Sequence, residues 1–144
     1  MKSLSEKINS EFKEFDIILS PAMGGIVLGY EIGRLLNKET IFSERVNGEF
    51  KLRRDFSIKK DQKVLIIEDV ITTGKSSLEC FKLVKKFKAK IVGYACLIDR
   101  SDKTKIKNKI ISQVKLKIPT YSKKELPSFI RNKPVTKPGS RFLK

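Results

Sequence analysis

Two adjacent carboxylates, Glu68 and Asp69, stand between four unbroken apolar residues, Val64 to Ile67, and a turn built from Thr72, Thr73, Gly74, Lys75 and Ser76. A short apolar run rich in β-branched residues, then turn residues, then a helical pattern, reads as a buried parallel strand. Open α/β sheets bind ligands at the carboxyl ends of such strands. Free amides in a loop and at a helix start cradle a phosphate, while paired carboxylates accept hydrogen bonds from vicinal hydroxyls. Together these groups fit a ligand that carries both a phosphate and a sugar diol. Gly74-Lys75-Ser76 also ends like a nucleotide P-loop, but that motif needs glycine five residues before Gly74, where Asp69 stands. A plainer reading is an ordinary capped helix, with Ser76 or Ser77 as the cap and Glu79 completing a capping box with Ser76. That reading explains the helix start but not two acids, two threonines and a glycine in one turn.

The elements that position this turn can be read in order. Leu4, Ile8 and Phe12 fall at helical spacing within residues 3 to 14. Asp16 to Leu19 makes a short strand, broken by Ser20 to Gly25. A helix from about Ile26 to Asn37 offers Ile26, Val27, Tyr30, Leu35 and Leu36 to the core. Strand, glycine turn and helix form half of a βαβ unit. Ala22, Met23, Gly24 and Gly25 therefore lie beside the Glu68 turn, where glycines let backbone approach a ligand. The plainer alternative is a merely tight turn.

Residues 39 to 44 form the next strand, and Asn47-Gly48 marks a two-residue hairpin. Arg45, Lys51, Arg53 and Arg54 line it, either as a solvated charged ribbon or as a mobile flap over an anion. After the Glu68 turn, Leu78, Phe81, Val84 and Phe87 make an apolar stripe. Ile91 to Ile98 is another buried strand, ending at Asp99-Arg100-Ser101. Arg100 is placed either to hold an anion or to pair with Asp99 or Asp102. Ile110 to Ile118 is a last strand, and residues 119–144 read as ordered extended chain. The whole, 1–144, reads as one α/β domain with an open parallel sheet flanked by helices.

The chain has 32 Lys and Arg against 16 Asp and Glu, a net charge of +16. The cations are mostly scattered lysines with few aromatics between them, so small anionic substrates explain them better than nucleic acid. There is no histidine, which removes the usual zinc sites and the commonest general base. No apolar run is long enough to span a membrane, and the N-terminus lacks a signal-peptide core. Cys80 and Cys96 sit in apolar patterns and read as buried free thiols in a cytoplasmic protein.

The stretch IIEDVITTGKS resembles the phosphoribosyl pyrophosphate motif of the type I phosphoribosyltransferases. The order of Ser20 to Ile26, Phe42 to Arg45, Leu52 to Arg54, Leu97 to Ser101, Ile118 to Tyr121 and Lys137 to Arg141 resembles bacterial orotate phosphoribosyltransferases. The resemblance implies that the chain moves 5-phosphoribosyl from phosphoribosyl pyrophosphate to orotate, giving orotidine 5′-monophosphate and pyrophosphate in pyrimidine biosynthesis, with Mg2+ carried mainly by the substrate. It implies Glu68 and Asp69 on the ribose, and Thr72, Thr73, Gly74, Lys75 and Ser76 on the 5′-phosphate. Residues 22–25 become the pyrophosphate loop, and Thr72 and Arg100 contact orotate. Arg45, Lys51, Arg53 and Arg54 fall on a catalytic flap, about residues 43–57, that reaches a neighbouring subunit in a homodimer. A transferase for another base and a non-catalytic nucleotide-sensing or RNA-binding regulator are the alternatives. Many relatives have a lysine where Met23-Gly24 stands and a histidine in the flap. They also carry an N-terminal hood over the orotate site, whereas this sequence starts almost at the first core strand.

Overall fold

The computed structural model describes residues 1–102, 104–119, 121–122 and 125–134. A helix, α1 (Lys2–Glu11), precedes β1 (Ile17–Pro21), α2 (Gly24–Leu36) and β2 (Glu39–Val46). Next come β3 (Glu49–Leu52), β4 (Lys63–Ile71), α3 (Lys75–Lys86), β5 (Lys90–Asp99), β6 (Ile110–Lys115) and a one-turn helix, α4 (Ser128–Arg131). The six strands form one sheet in the order β3-β2-β1-β4-β5-β6. All neighbours are parallel except β2 and β3.

The order reverses at β1. From β1 the chain crosses through α2 to β2 on one side, whereas β4 pairs with β1 on the other, Ile17 lying opposite both Glu39 and Val64. The segments leaving β1 and β4 therefore diverge and open a crevice at the carboxyl edge.

Strand alternation sorts the core into two layers. Ile18, Leu65 and Ile67 face α1 and α2, meeting Leu4, Ile8, Leu28 and Ile32. Ile17, Leu19, Val64 and Ile66 face α3 on the opposite side, with Cys80, Leu83 and Val84. At the outer edge of the sheet, the Lys7 ammonium of α1 donates to the carbonyls of Ser112 and Gln113 on β6, each at 3.3 Å.

Two helices depart in part from the expected faces. In α2 the buried residues are Gly25, Leu28, Gly29, Ile32 and Gly33, while Val27 and Tyr30 are 72% and 63% exposed. The glycines explain this. A Cβ on Gly25 would lie 2.9 Å from the Ile67 carbonyl, and one on Gly29 would lie 2.1 Å from Ser20 Oγ. The helix thus rests on the sheet backbone, closer than any side chain permits. In α3 the buried face is Ser77, Cys80, Leu83 and Val84; of the expected stripe Val84 is buried and Phe87 packs against the core, while Leu78 and Phe81 are only half-buried. The chain after residue 118 also departs from a wholly extended tail, because α4 interrupts it. The Lys137 to Arg141 stretch lies outside the described residues. The Asn47-Gly48 hairpin forms as read, with φ of 51° and 85°, as a type I′ turn requires.

Gly29→Ala tests the close approach. Alanine favours a helix by about 1 kcal/mol over glycine, but the clash with Ser20 should outweigh this and destabilise by about 1–3 kcal/mol. Ser20→Ala in the same chain removes the clashing hydroxyl and should recover most of the loss in a urea titration.

Candidate functional site

The crevice is a cleft of about 860 Å3. Ala22, Met23 and Gly24 line it from the end of β1, Arg45 and Gly48 from the hairpin, and Glu68, Asp69, Val70, Thr72, Thr73, Gly74, Lys75 and Ser76 from the end of β4. The sequence thus brings together both acids and the whole threonine-glycine turn. It also brings three of the four residues expected after β1, the fourth, Gly25, being buried beneath them.

The two carboxylates have different surroundings. Glu68 is 5% exposed, and its Oε2 accepts a 2.6 Å hydrogen bond from Ser77 Oγ of α3. Burial pushes its carboxyl above the ordinary value. The Ser77 bond works the other way, and the negative charge of Asp69 adds to the rise. Asp69 is exposed, and its Oδ1 accepts from the Val70 amide at 2.9 Å. A Cβ on Gly24 would lie 2.3 Å from Asp69 Oδ2, so only glycine lets this carboxylate lie over the start of α2.

At neither helix that begins at the cleft does the N-cap residue supply a side-chain cap, Met23 for α2 and Gly74 for α3; in α3 the Lys75 amide donates to Thr73 Oγ1 at 3.3 Å. The capping box of the plainer reading does not form at α3. Ser77 is committed to Glu68 and Glu79 to Arg45, while Gly74 enters the helix at φ 73°. Uncapped first-turn amides carry partial positive charge and suit anions. The cleft therefore has two anion-accepting ends with a carboxylate pair between them. Gly74 is also held from behind, since a Cβ there would meet Thr104 Oγ1 at 2.7 Å and Ile106 Cδ1 at 2.8 Å.

Of the four hairpin cations only Arg45 lines the cleft. Its Nη1 donates to the Gly48 carbonyl at 2.5 Å, its guanidinium lies 4.3 Å from the Phe50 ring centroid, and it forms an ion pair with Glu79 of α3. Arg54 donates to Glu44 at 3.0 Å, Arg53 stands 3.9 Å from the same carboxylate, and Lys51 is exposed. Arg100 follows β5, and its amide donates to the Ile71 carbonyl at 2.8 Å. It pairs with neither Asp99 nor Asp102 among the described residues. Asp99 instead accepts from the Ser101 amide and hydroxyl and lies 3.6 Å from Lys115. Arg100 Nε is buried without a partner there, one strand beyond the cleft-lining residues.

Sequence reading missed Ser77, Glu79 and the Thr104–Ile106 brace. The first two were visible only as capping residues, and the brace joins positions about thirty residues apart with no local pattern. Among the described residues, no helix is long and apolar enough to cross a membrane, no cluster of three or more acids or cysteines could hold a metal ion, and Cys80 and Cys96 are buried free thiols.

Burial of Glu68 predicts a specific pH signature. The folded chain holds this proton to higher pH than the unfolded chain. Ionised Glu68 therefore costs stability above its raised folded value, and that cost vanishes below about pH 4, where both states are protonated. Glu68→Gln keeps an acceptor for Ser77 and removes the charge. Its thermal midpoint should exceed that of the parent at pH 7 and match it in acid; a gain that persists in acid would mean altered packing instead.

A phosphoribosyl transferase domain family matches residues 1–125. An orotate phosphoribosyltransferase of Parvibaculum lavamentivorans is 46% identical over 99% of this chain and 74% of its own length. Another from Maricaulis maris is 42% identical over the same shares. Among solved structures, an adenine phosphoribosyltransferase from Thermoanaerobacter pseudethanolicus superposes with TM-score 0.71 at 19% identity, covering 80% of this chain and 77% of that one. An orotate phosphoribosyltransferase from Aeropyrum pernix gives TM-score 0.66 at 17% identity, covering 80% and 69%. These structures share the fold, while the sequence relatives share far more of the residues. A crevice with two helix starts and a carboxylate pair thus has its counterpart in sequence, and the chain belongs to the orotate phosphoribosyltransferase family.

Proposed function

We propose that the chain, as a single phosphoribosyltransferase domain, transfers 5-phosphoribosyl from phosphoribosyl pyrophosphate to orotate, in pyrimidine biosynthesis. The bond from ribose C1′ to pyrophosphate oxygen breaks, a bond from C1′ to the orotate ring nitrogen forms, and the proton of that nitrogen passes to solvent. Pyrophosphate leaves with the electron pair, and the products are orotidine 5′-monophosphate and pyrophosphate. The observation that carries this reading is the pair of helix starts facing one cleft with Glu68 and Asp69 between them. Three groups in that spacing match 5′-phosphate, ribose diol and pyrophosphate.

In this reading Thr72, Thr73, Gly74, Lys75 and Ser76 hold the 5′-phosphate, and residues 22–24 with Gly25 beneath them hold the pyrophosphate. Asp69 takes the ribose hydroxyls directly, and Glu68 supports it from the buried end of the strand. The transition state resembles an oxocarbenium ion, so positioned charge and exclusion of water suffice and no covalent nucleophile is needed. Mg2+ suits the donor set, being a hard cation bound by oxygen. Asp69 is the exposed cleft carboxylate that would share it with substrate oxygens and water, and when bound it neutralises the departing pyrophosphate. Arg100, whose Nε has no partner among the described residues, holds the orotate carboxylate in a fork, beside Thr72. The chain works as a homodimer in which the outward-facing Lys51, Arg53 and Arg54 serve the neighbouring subunit. Two free thiols accord with the reducing cytoplasm.

The direct test is loss of orotate absorbance in the near ultraviolet with phosphoribosyl pyrophosphate and Mg2+, with pyrophosphate released in step. A panel of bases in which a purine or uracil outperforms orotate would overturn the choice of base. Asp69→Asn should lower turnover at least about tenfold (about 1.4 kcal/mol), and unchanged kinetics would remove it from the ribose. Arg100→Ala should raise KM for orotate more than KM for phosphoribosyl pyrophosphate; equal effects on both would make Arg100 structural.

A further inference from the structure

We propose that Glu79 is the positioning residue that fixes Arg45 at the cleft of its own chain, where the guanidinium meets substrate phosphate. This rests on the function proposed above. Arg45 sits on a two-stranded ribbon at the edge of the sheet, and such an exposed ribbon has little rigidity of its own. Three contacts remove that freedom. The guanidinium pairs with Glu79, donates through Nη1 to the Gly48 carbonyl at 2.5 Å, and lies over Phe50.

The placement of Glu79 matters as much as its charge. It lies one turn into α3, the helix whose first turn forms the phosphate-binding end of the cleft. A single rigid element thus sets both the amide cradle and the arginine, so their separation is fixed. The space beside this tie is open: Gly48, Phe50, Glu79, Lys82 and Leu83 border a separate cavity of about 240 Å3. Below the tip, Phe50 of β3 is buried with Cys80 and Leu83 of α3, and the ion pair ties the more exposed end of the hairpin to the same helix. Glu79 and Gly48 engage two of the five guanidinium donors, which leaves the others for anionic oxygen. The side chains of Arg45 and Glu79 are 39% and 25% exposed. A pair so exposed adds little to stability, so its role is one of placement.

The test is a kinetic double-mutant cycle of Arg45→Ala and Glu79→Gln, with thermal midpoints and both Michaelis constants measured. Glu79→Gln should raise KM for phosphoribosyl pyrophosphate by roughly fivefold or more, leaving KM for orotate and the midpoint unchanged. Added to Arg45→Ala it should have no further effect, and Glu79→Asp should recover part of the loss. Normal kinetics for Glu79→Gln alongside an impaired Arg45→Ala would overturn the positioning role alone. Additive losses would place Glu79 in some other task. Normal kinetics for Arg45→Ala would instead remove Arg45 from the site and the proposal with it. Mixing Arg45→Ala chains with Asp69→Asn chains should give no rescue, because neither chain holds a complete site; recovered activity would show Arg45 acting across subunits.

Discussion

Helix α2 lies against the sheet at a distance that only glycine allows. Gly25 meets the Ile67 carbonyl, Gly29 meets Ser20, and Gly33 meets Thr40. This contact sets where the start of α2 falls relative to the end of β4, and hence the width of the crevice. Gly24 continues the same row and brings the helix start beneath Asp69. A methyl group at Gly25 would meet backbone, the Ile67 carbonyl, and must push helix and strand apart.

The site also keeps charge in costly places. Glu68 is ionisable, nearly buried and beside a second carboxylate. Ser77, in the first turn of α3, donates its hydroxyl to the Glu68 carboxylate. The N-cap of α3 is Gly74, which has no side chain to offer, so an unusual helix start and a buried acid meet in one turn. Local rules broken together at one end of a sheet mark a functional surface.

Much of this was legible in the chain. The Val64–Ile67 run followed by Glu68 and Asp69 reads as a buried strand because nothing polar interrupts it, and Asn47-Gly48 reads as a turn because both residues tolerate positive φ. The helix faces were less legible. Hydrophobic periodicity gives no weight to glycine and little to serine, yet Gly25, Gly29, Gly33 and Ser77 are among the residues that α2 and α3 bury. Val27 and Tyr30 of α2, greasier by type, face outward. Glu79 looked like a capping partner because its distance along the chain from Ser76 fits that motif. Its partner Arg45 is 34 residues away, and only the fold reveals it.

The Lys7 contact on β6 has a consequence for solubility. An outer strand presents a row of unpaired carbonyl and amide groups, a ready template for another strand. The ammonium of Lys7 reaches the carbonyls of two successive residues of that strand, Ser112 and Gln113, and sets a positive charge beside it against any incoming chain. Helix α1 thereby shields a margin of the sheet as well as covering its face. A change at Lys7 can therefore leave unfolding measurements almost untouched and still favour edge-to-edge association, so that resistance to aggregation and resistance to unfolding rest on different atoms of the same helix.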